Sequence, residues 1–338
     1  MKRWFGVLIA LALVATACGG DDEGGGGLLA DVQDRGNIIC GVNETLPGFG
    51  VTDDAGNFSG FDIDFCRVVA AGILGDADAV EFVPLTAEAR FTALQSGEID
   101  LLIRNTTWTA TRDGQEGADF LFTTFFDGQG MMVPAATGFS VLEDLADGNI
   151  CVLSGTTTEL NLTAVFNARG IPFNPVVFED NTQLRPAYEE GQCDGWTSDA
   201  SQLAAFKATI EGEGGAPQSI MAEVISKEPL GPVVADGDTE WAQAVEWSVM
   251  STVQAWEFGI DSGNVAGFSD PNPNVANFLG ELAPGLGLPN DFAVQIISQV
   301  GNYEEIYNRH IVPIGLQLAG SPNDLWTSGG LMYVPPYR

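Results

Sequence analysis

Positive charge is scarce in this chain. Its 338 residues hold 13 Lys and Arg against 46 Asp and Glu, for a formal net charge of −33. Nucleic acid and anionic lipid surfaces are therefore excluded as general partners of the body, because both would repel it. The acidity reads as a solvated surface and assigns no activity. Histidine is reduced to His310, and the five cysteines form no CxxC or Cys/His cluster, so no zinc site is expected. No GxSxG elbow, no helix-opening GxGxxG and no GK[ST] phosphate loop occurs, which leaves serine-hydrolase and nucleotide chemistry without their usual residues. Acidic pairs such as Asp62/Asp64 carry little weight in so acidic a chain. No cofactor is expected.

Long apolar runs are also missing. "WFGVLIALALVATA" (4 to 17) has 14 residues, short of the roughly 20 that span a bilayer. Lys2 and Arg3 precede it and small residues end it, the pattern of an export signal. "ATAC" resembles a bacterial lipoprotein box, with Ala15 where a larger aliphatic residue is usual, so Cys18 is the expected lipidation site. The alternative is a soluble protein cleaved near Ala17. "GGDDEGGGG" (19 to 27) can bury nothing and reads as a flexible tether. Four cysteines remain, Cys40, Cys66, Cys151 and Cys193. In an exported protein they suggest two disulfides, with three connectivities open.

What is present is enough apolar residue, 45%, for more than one core, and at this length two lobes are expected. "NIICGVN" (37 to 43) is a β-rich run. "FDIDFCRVVAAGILG" then puts apolar residues on one helical face and stops at Gly75. "AVEFVPL" reads as a strand, "AEARFTALQSG" as a helix closed by Gly97, and "IDLLI" (99 to 103) as a buried parallel strand. A second cycle starts at "NICVLSG" (149 to 155) and repeats the alternation through "TTELNLTAVFNARG", "PVVFE", "NTQLRPAYEEGQ" and "CDGWTS". This is an α/β chain with two parallel-type sheets. Long helices are expected at 239 to 259, where Trp241, Val245, Val249 and Val253 share a face, and at 290 to 309.

Three strand ends carry candidate chemistry. "RNTTWTATR" (104 to 112) follows the strand 99 to 103 at its carboxyl end, where α/β sheets place ligands. Thr109 can cap a short helix with Arg112 in its first turn, bringing N–H groups, hydroxyls and a planar fork together, a setting that suits a carboxylate or phosphate. Arg104 and Arg112 could equally pair with surface acids. "SGTTTE" (154 to 159) has the Thr156/Glu159 spacing of a capping box, and its exposed N–H groups with Thr157 Oγ could also hold a ligand. Asp199 ends the strand at "CDGWTSDAS", as a helix cap or a ligand. Facing Arg112 across a cleft, it would match the two charges of a zwitterion. His310 near a helix C-terminus needs only the helix dipole to explain it.

"GFDIDFCRVVAAGILGD", "PLTAEARFTALQSGEIDLLIRNTTWTATRD", "FFDGQGMMV", "GTTTELNL", "CDGWTSDAS", "ISKEPLGP" and "LMYVPPYR" together resemble the general L-amino-acid-binding proteins of bacterial ABC importers, from about Leu28 to Arg338. The resemblance implies a type II periplasmic-binding-protein-like fold: two α/β lobes, each a mainly parallel sheet flanked by helices, joined by a two-stranded hinge. It puts lobe 1 at 28–131 plus 230–338 and lobe 2 at 132–229. It implies that Arg112 holds a ligand α-carboxylate with Thr107 and the Thr157 backbone, that the Asn105 carbonyl and Asp199 receive the α-ammonium, and that Thr156 lies beside them. It pairs Cys40 with Cys66 and Cys151 with Cys193, one bond per lobe. Where relatives selective for basic ligands have an aromatic residue and a serine, this chain has Ala87 and Arg104, which implies acidic or amide side chains. Phe49 is expected as an apolar wall. The implied protein is a monomeric, lipid-anchored, extracytoplasmic receptor that hands a polar L-amino acid to a membrane permease. The rivals are an enzyme of the same fold, such as a cyclic-acid dehydratase, and a sensory receptor that needs a separate output partner.

Overall fold

The computed structural model describes residues 27–281 and 285–337. The export signal, Cys18 and nearly all of the tether lie outside the described residues.

Two mixed sheets form the body. In the first, the strands run in the order Val80–Pro84, Ile38–Val42, Leu101–Leu102, Val233–Ala235, Ala118–Phe120. The first three are parallel, with Ile38 opposite Val80 and Cys40 opposite Leu101. The last two are antiparallel additions. The second sheet repeats the plan in the order Asn174–Phe178, Asn149–Leu153, Gly195–Asp199, Phe125–Pro134, Gln218–Ile220. Its first three strands are again parallel, and Phe125–Pro134 runs antiparallel to Gly195–Asp199. Helices connect the parallel strands, as βαβ crossovers require. Each sheet therefore has three parallel strands on one side, and the antiparallel strands on the other make it less uniformly parallel than its strand–helix alternation suggests.

The strand Phe125–Pro134 links the two sheets. Its first residues, Phe125 to Gly128, pair with Leu230 to Lys227, and from Gln129 onward it pairs inside the second sheet. The returning strand Lys227–Leu230 leads directly to Val233, which enters the first sheet. Gly128 is required here, because a Cβ would sit 2.4 Å from Val224 Cγ1 and 2.9 Å from the Ser226 carbonyl. Two antiparallel strands thus cross between the lobes.

Periodicity explains most helices. Phe61–Leu74 ends at Gly75 with φ 73°, and Thr239–Phe258 ends at Gly259 with φ 70°, both left-handed caps that glycine adopts without strain. Trp241, Val245, Val249 and Val253 are all buried on one face. The expected helix 290 to 309 is instead two, Phe292–Gln299 and Tyr303–His310. Gly301 at φ 106° breaks it, and Asn302 with Glu305 forms a capping box that starts the second helix. His310 ends that helix, with Nε2 2.7 Å from Asp64 Oδ2.

An aromatic cluster joins the N-terminal and C-terminal parts of the first lobe. Phe61 meets Phe125, Tyr303 and Tyr307 edge-on at 5.8–6.2 Å. Phe49 belongs to it: the residue is fully buried, with its ring 5.2 Å from Phe125 and 5.9 Å from Phe61. Its expected place as a wall of the ligand site is therefore corrected. The Phe61 and Asp62 N–H groups bond the carbonyls of Gly48 and Phe49, which turns that ring into the core. Burying such a ring contributes about 1.5–3 kcal/mol.

The disulfides are Cys40–Cys66 and Cys151–Cys193, closing 26 and 42 residues. The first ties a strand of the first sheet to the helix Phe61–Leu74, and the second ties two segments of the second sheet's neighbourhood. Neither bond crosses between the sheets.

Candidate ligand-binding cleft

The first side of the cleft is built by the chain that leaves Leu101–Leu102. Asn105 has φ 35°, a left-handed conformation that asparagine adopts more readily than most non-glycine residues. Asp62 fixes it there, its Oδ2 accepting from the Asn105 N–H at 2.7 Å. Arg104 beside it is buried, and its Nε donates to the Leu85 carbonyl at 2.7 Å. Further on, Thr109 caps the helix Ala110–Gln115, its Oγ1 accepting from the Arg112 N–H at 3.2 Å. Arg112 folds back over the turn, Nη1 donating to the Thr107 carbonyl at 3.0 Å.

The second side comes from two strand ends of the other sheet. Thr156 caps the helix Thr157–Arg169, its Oγ1 accepting from the Glu159 N–H at 3.1 Å. The Glu159 carboxylate accepts from the Gly155 N–H at 3.0 Å. Asp199 ends Gly195–Asp199 and is 5% exposed. The sides touch: Asn105 Nδ2 donates to Asp199 Oδ2 at 3.3 Å, Arg112 Nη2 to the Gly155 carbonyl at 3.4 Å, and the Thr107 and Thr157 hydroxyls lie 3.4 Å apart.

Arg104, Asn105, Thr107, Thr156, Thr157 and Asp199 line one cavity together with Ala87. Arg112 stands at its edge through Thr107 and Gly155. Phe49 does not line it. The enclosed space is about 20 Å³, room for about one water molecule. A larger, chiefly apolar cavity of about 790 Å³ lies elsewhere, between the crossing strands and the C-terminal segment around Leu316 and Leu331. Its charged lining is confined to Asp127 and Lys227.

Four residues of the site were not singled out by sequence reasoning. Arg90 is 3% exposed and lines the cavity. Its signal lay in the pattern Ala87, Arg90, Phe91, Leu94, in which a cation occupies the apolar face of a helix. Asn43 and Gln202 also line it, and nothing in their spacing marks them. Glu228, on the returning strand and 1% exposed, accepts from Thr157 Oγ1 at 2.8 Å and from Asn161 Nδ2 at 3.0 Å.

Burial dominates the electrostatics. It lowers Arg104 to about 10, against the pull of Asp62. It also lowers Arg112, with Glu228 and Asp199 opposing. Burial raises Asp199 well above the usual carboxylate range, helped by the negative charges of Asp127 and Glu228 and opposed by the Asn105 hydrogen bond. A cation placed against Asp199 would restore its ionised form.

Two lobes, two crossing strands and a closed cleft with opposite charges on its two sides define a solute-binding protein of the two-lobed type. Residues 38–269 match the bacterial extracellular solute-binding proteins, family 3, and the chain belongs to that family. It is 44% identical to the general L-amino acid-binding periplasmic protein AapJ of Rhizobium johnstonii, over 92% of both chains. It is 43% identical to the glutamate/glutamine/aspartate/asparagine-binding protein BztA of Rhodobacter capsulatus, over 100% of both. Among solved structures, a periplasmic binding protein from Brucella ovis with glutathione bound superposes with a TM-score of 0.86 at 42% identity, covering 92% of this chain and 99% of that one.

Proposed function

We propose that this protein captures polar L-amino acids of the glutamate, glutamine, aspartate and asparagine type outside the cytoplasm and delivers them to the permease of an ABC importer. The observation that carries the reading is the meeting of Arg112 from one lobe and Asp199 from the other at one closed cleft. An α-carboxylate would sit on Arg112 with Thr107 and the N-terminal turn at Thr156 and Thr157. The α-ammonium would sit on Asp199 and the Asn105 carbonyl, and the side chain would point towards Ala87 and Arg104. Such charge-assisted, desolvated hydrogen bonds supply most of the affinity.

The bodies that move are residues 28–124 plus 231–338 and 129–226, rotating about the paired strands 125–128 and 227–230, since Gln129 to Met131 already pair with Asp199 to Thr197 in the second sheet. Ligand entry requires them to part, since the closed cleft has room for about one water molecule. The closed form then presents both lobes to the permease. The protein acts without turnover, as a monomer, anchored by lipid on Cys18. A thermal-shift and calorimetry panel of the standard amino acids, on protein freed of bound ligand, tests the reading. Stabilisation by the acidic and amide amino acids is expected, and no response to any amino acid would overturn it.

A further inference from the structure

Arg90 is the buried cation whose charge the cleft leaves without a close partner. Among the described residues, its Nε has no hydrogen-bond partner, and Nη1 reaches Thr106 Oγ1 only at 3.5 Å. Its other contact is the face of Phe91, 5.2 Å from the guanidinium carbon, with Arg112 over the same ring at 5.4 Å. Two like charges, Arg112 and Arg104, act on it, and Asp199 is the acid that acts in its favour. The other acids of the site are engaged elsewhere: Asp62 holds the Asn105 N–H beside Arg104, and Glu228 holds Thr157 and Asn161.

Resting on the amino-acid reading above, the assignment of Asp199 to a ligand ammonium has a consequence. With Asp199 engaged by the ammonium, Arg90 is left without a countercharge of its own inside a desolvated cavity, where an uncompensated ion is expensive. A neutral side-chain amide cannot replace that charge, whereas a second ligand carboxylate can. We propose that Arg90 and Arg104 form a distal anion subsite with Arg90 as its specificity-determining residue, so that the cleft selects dicarboxylic α-amino acids over their amides. The ligand then carries a net charge of −1, and each of its three charges meets an opposite one: Arg112, Asp199, and the Arg90/Arg104 pair. Ala87, in the turn that leads into the helix beginning at Arg90, also lines the cavity and leaves space for the side chain to reach it.

The test is calorimetry at pH 7.5 with L-glutamate and L-glutamine on the full chain freed of ligand. Wild-type protein is expected to bind glutamate about ten- to hundredfold more tightly, the worth of a charge-assisted bond to a buried cation. Arg90→Leu should lower glutamate affinity at least about tenfold more than glutamine affinity, and Arg90→Lys should retain part of the preference. If Arg90→Leu does not fold, Arg90→Gln carries the same comparison. Equal weakening of both ligands in the variant would reduce Arg90 to a structural role and overturn the inference. So would a wild-type protein that binds both ligands equally, although the amino-acid reading would then stand. A wild-type protein that binds neither ligand overturns both.

Discussion

The two sides of the cleft are built alike and charged differently. Each is a strand end followed by a threonine-capped helix, Thr109 before Ala110–Gln115 on one side and Thr156 before Thr157–Arg169 on the other. The first side brings three buried guanidiniums, Arg90, Arg104 and Arg112, while the second brings Asp199 and a run of hydroxyls. Neither side alone can neutralise a zwitterion. On the proposed reading the difference ties ligand affinity to closure, because a ligand held by one side leaves one of its charges in water.

The disulfides are a further feature in which the two lobes are alike, and removing them should give the largest effect. Replacing Cys40 and Cys66, or Cys151 and Cys193, with alanine is expected to cost about 3–4 kcal/mol of stability in either lobe, read by denaturant unfolding. A loss confined to one pair would break the symmetry. Next come the opposed charges. Arg112→Lys and Asp199→Ala should each weaken amino-acid binding by at least about 2 kcal/mol, since each leaves a buried partner unpaired. Calorimetry that found wild-type affinity in either variant would remove that residue from the site.

The pH dependence sharpens the same contrast. Burial lifts the Asp62 carboxyl to about 7, against its hydrogen bond from Asn105 and the charge of Arg104. Burial also lifts Asp127 to about 6. The folded protein therefore holds protons that the unfolded chain has released, from about pH 4 up to those values. Stability is highest at the acid end of that window and falls as pH rises through it. Ligand-free protein should melt at a higher temperature at pH 5 than at pH 8, and Asp62→Asn should flatten the difference. An unchanged slope in Asp62→Asn would contradict the role of burial there. The smallest effect is on side-chain choice: Arg104→Ser should shift the preference between glutamate and lysine by about 1 kcal/mol towards lysine. Competition binding with the two ligands would read that shift.

Much of this arrangement was legible before the structure. The strand–helix alternation placed Arg112, Thr156 and Asp199 at strand ends, because apolar runs and glycine stops are local signals. Thr109 as a cap followed from spacing alone. Phe49 misled because an aromatic in a glycine-rich loop carries no mark of the direction it faces. That direction is set by hydrogen bonds from Phe61 and Asp62. Glu228 was hidden for a related reason, since its partner Thr157 lies 71 residues away. The break at Gly301 was readable in principle, as glycine followed by Asn and then Glu three residues later, but the apolar period on either side masked it.

The most direct test compares L-glutamate with glutarate, which keeps both carboxylates and lacks the ammonium. If Arg112 and Asp199 hold a zwitterion between the lobes, calorimetry on ligand-free protein should find glutarate at least about a hundredfold weaker, with most of that penalty gone in Asp199→Ala. Glutarate binding to the wild-type protein within about threefold of glutamate would contradict the account.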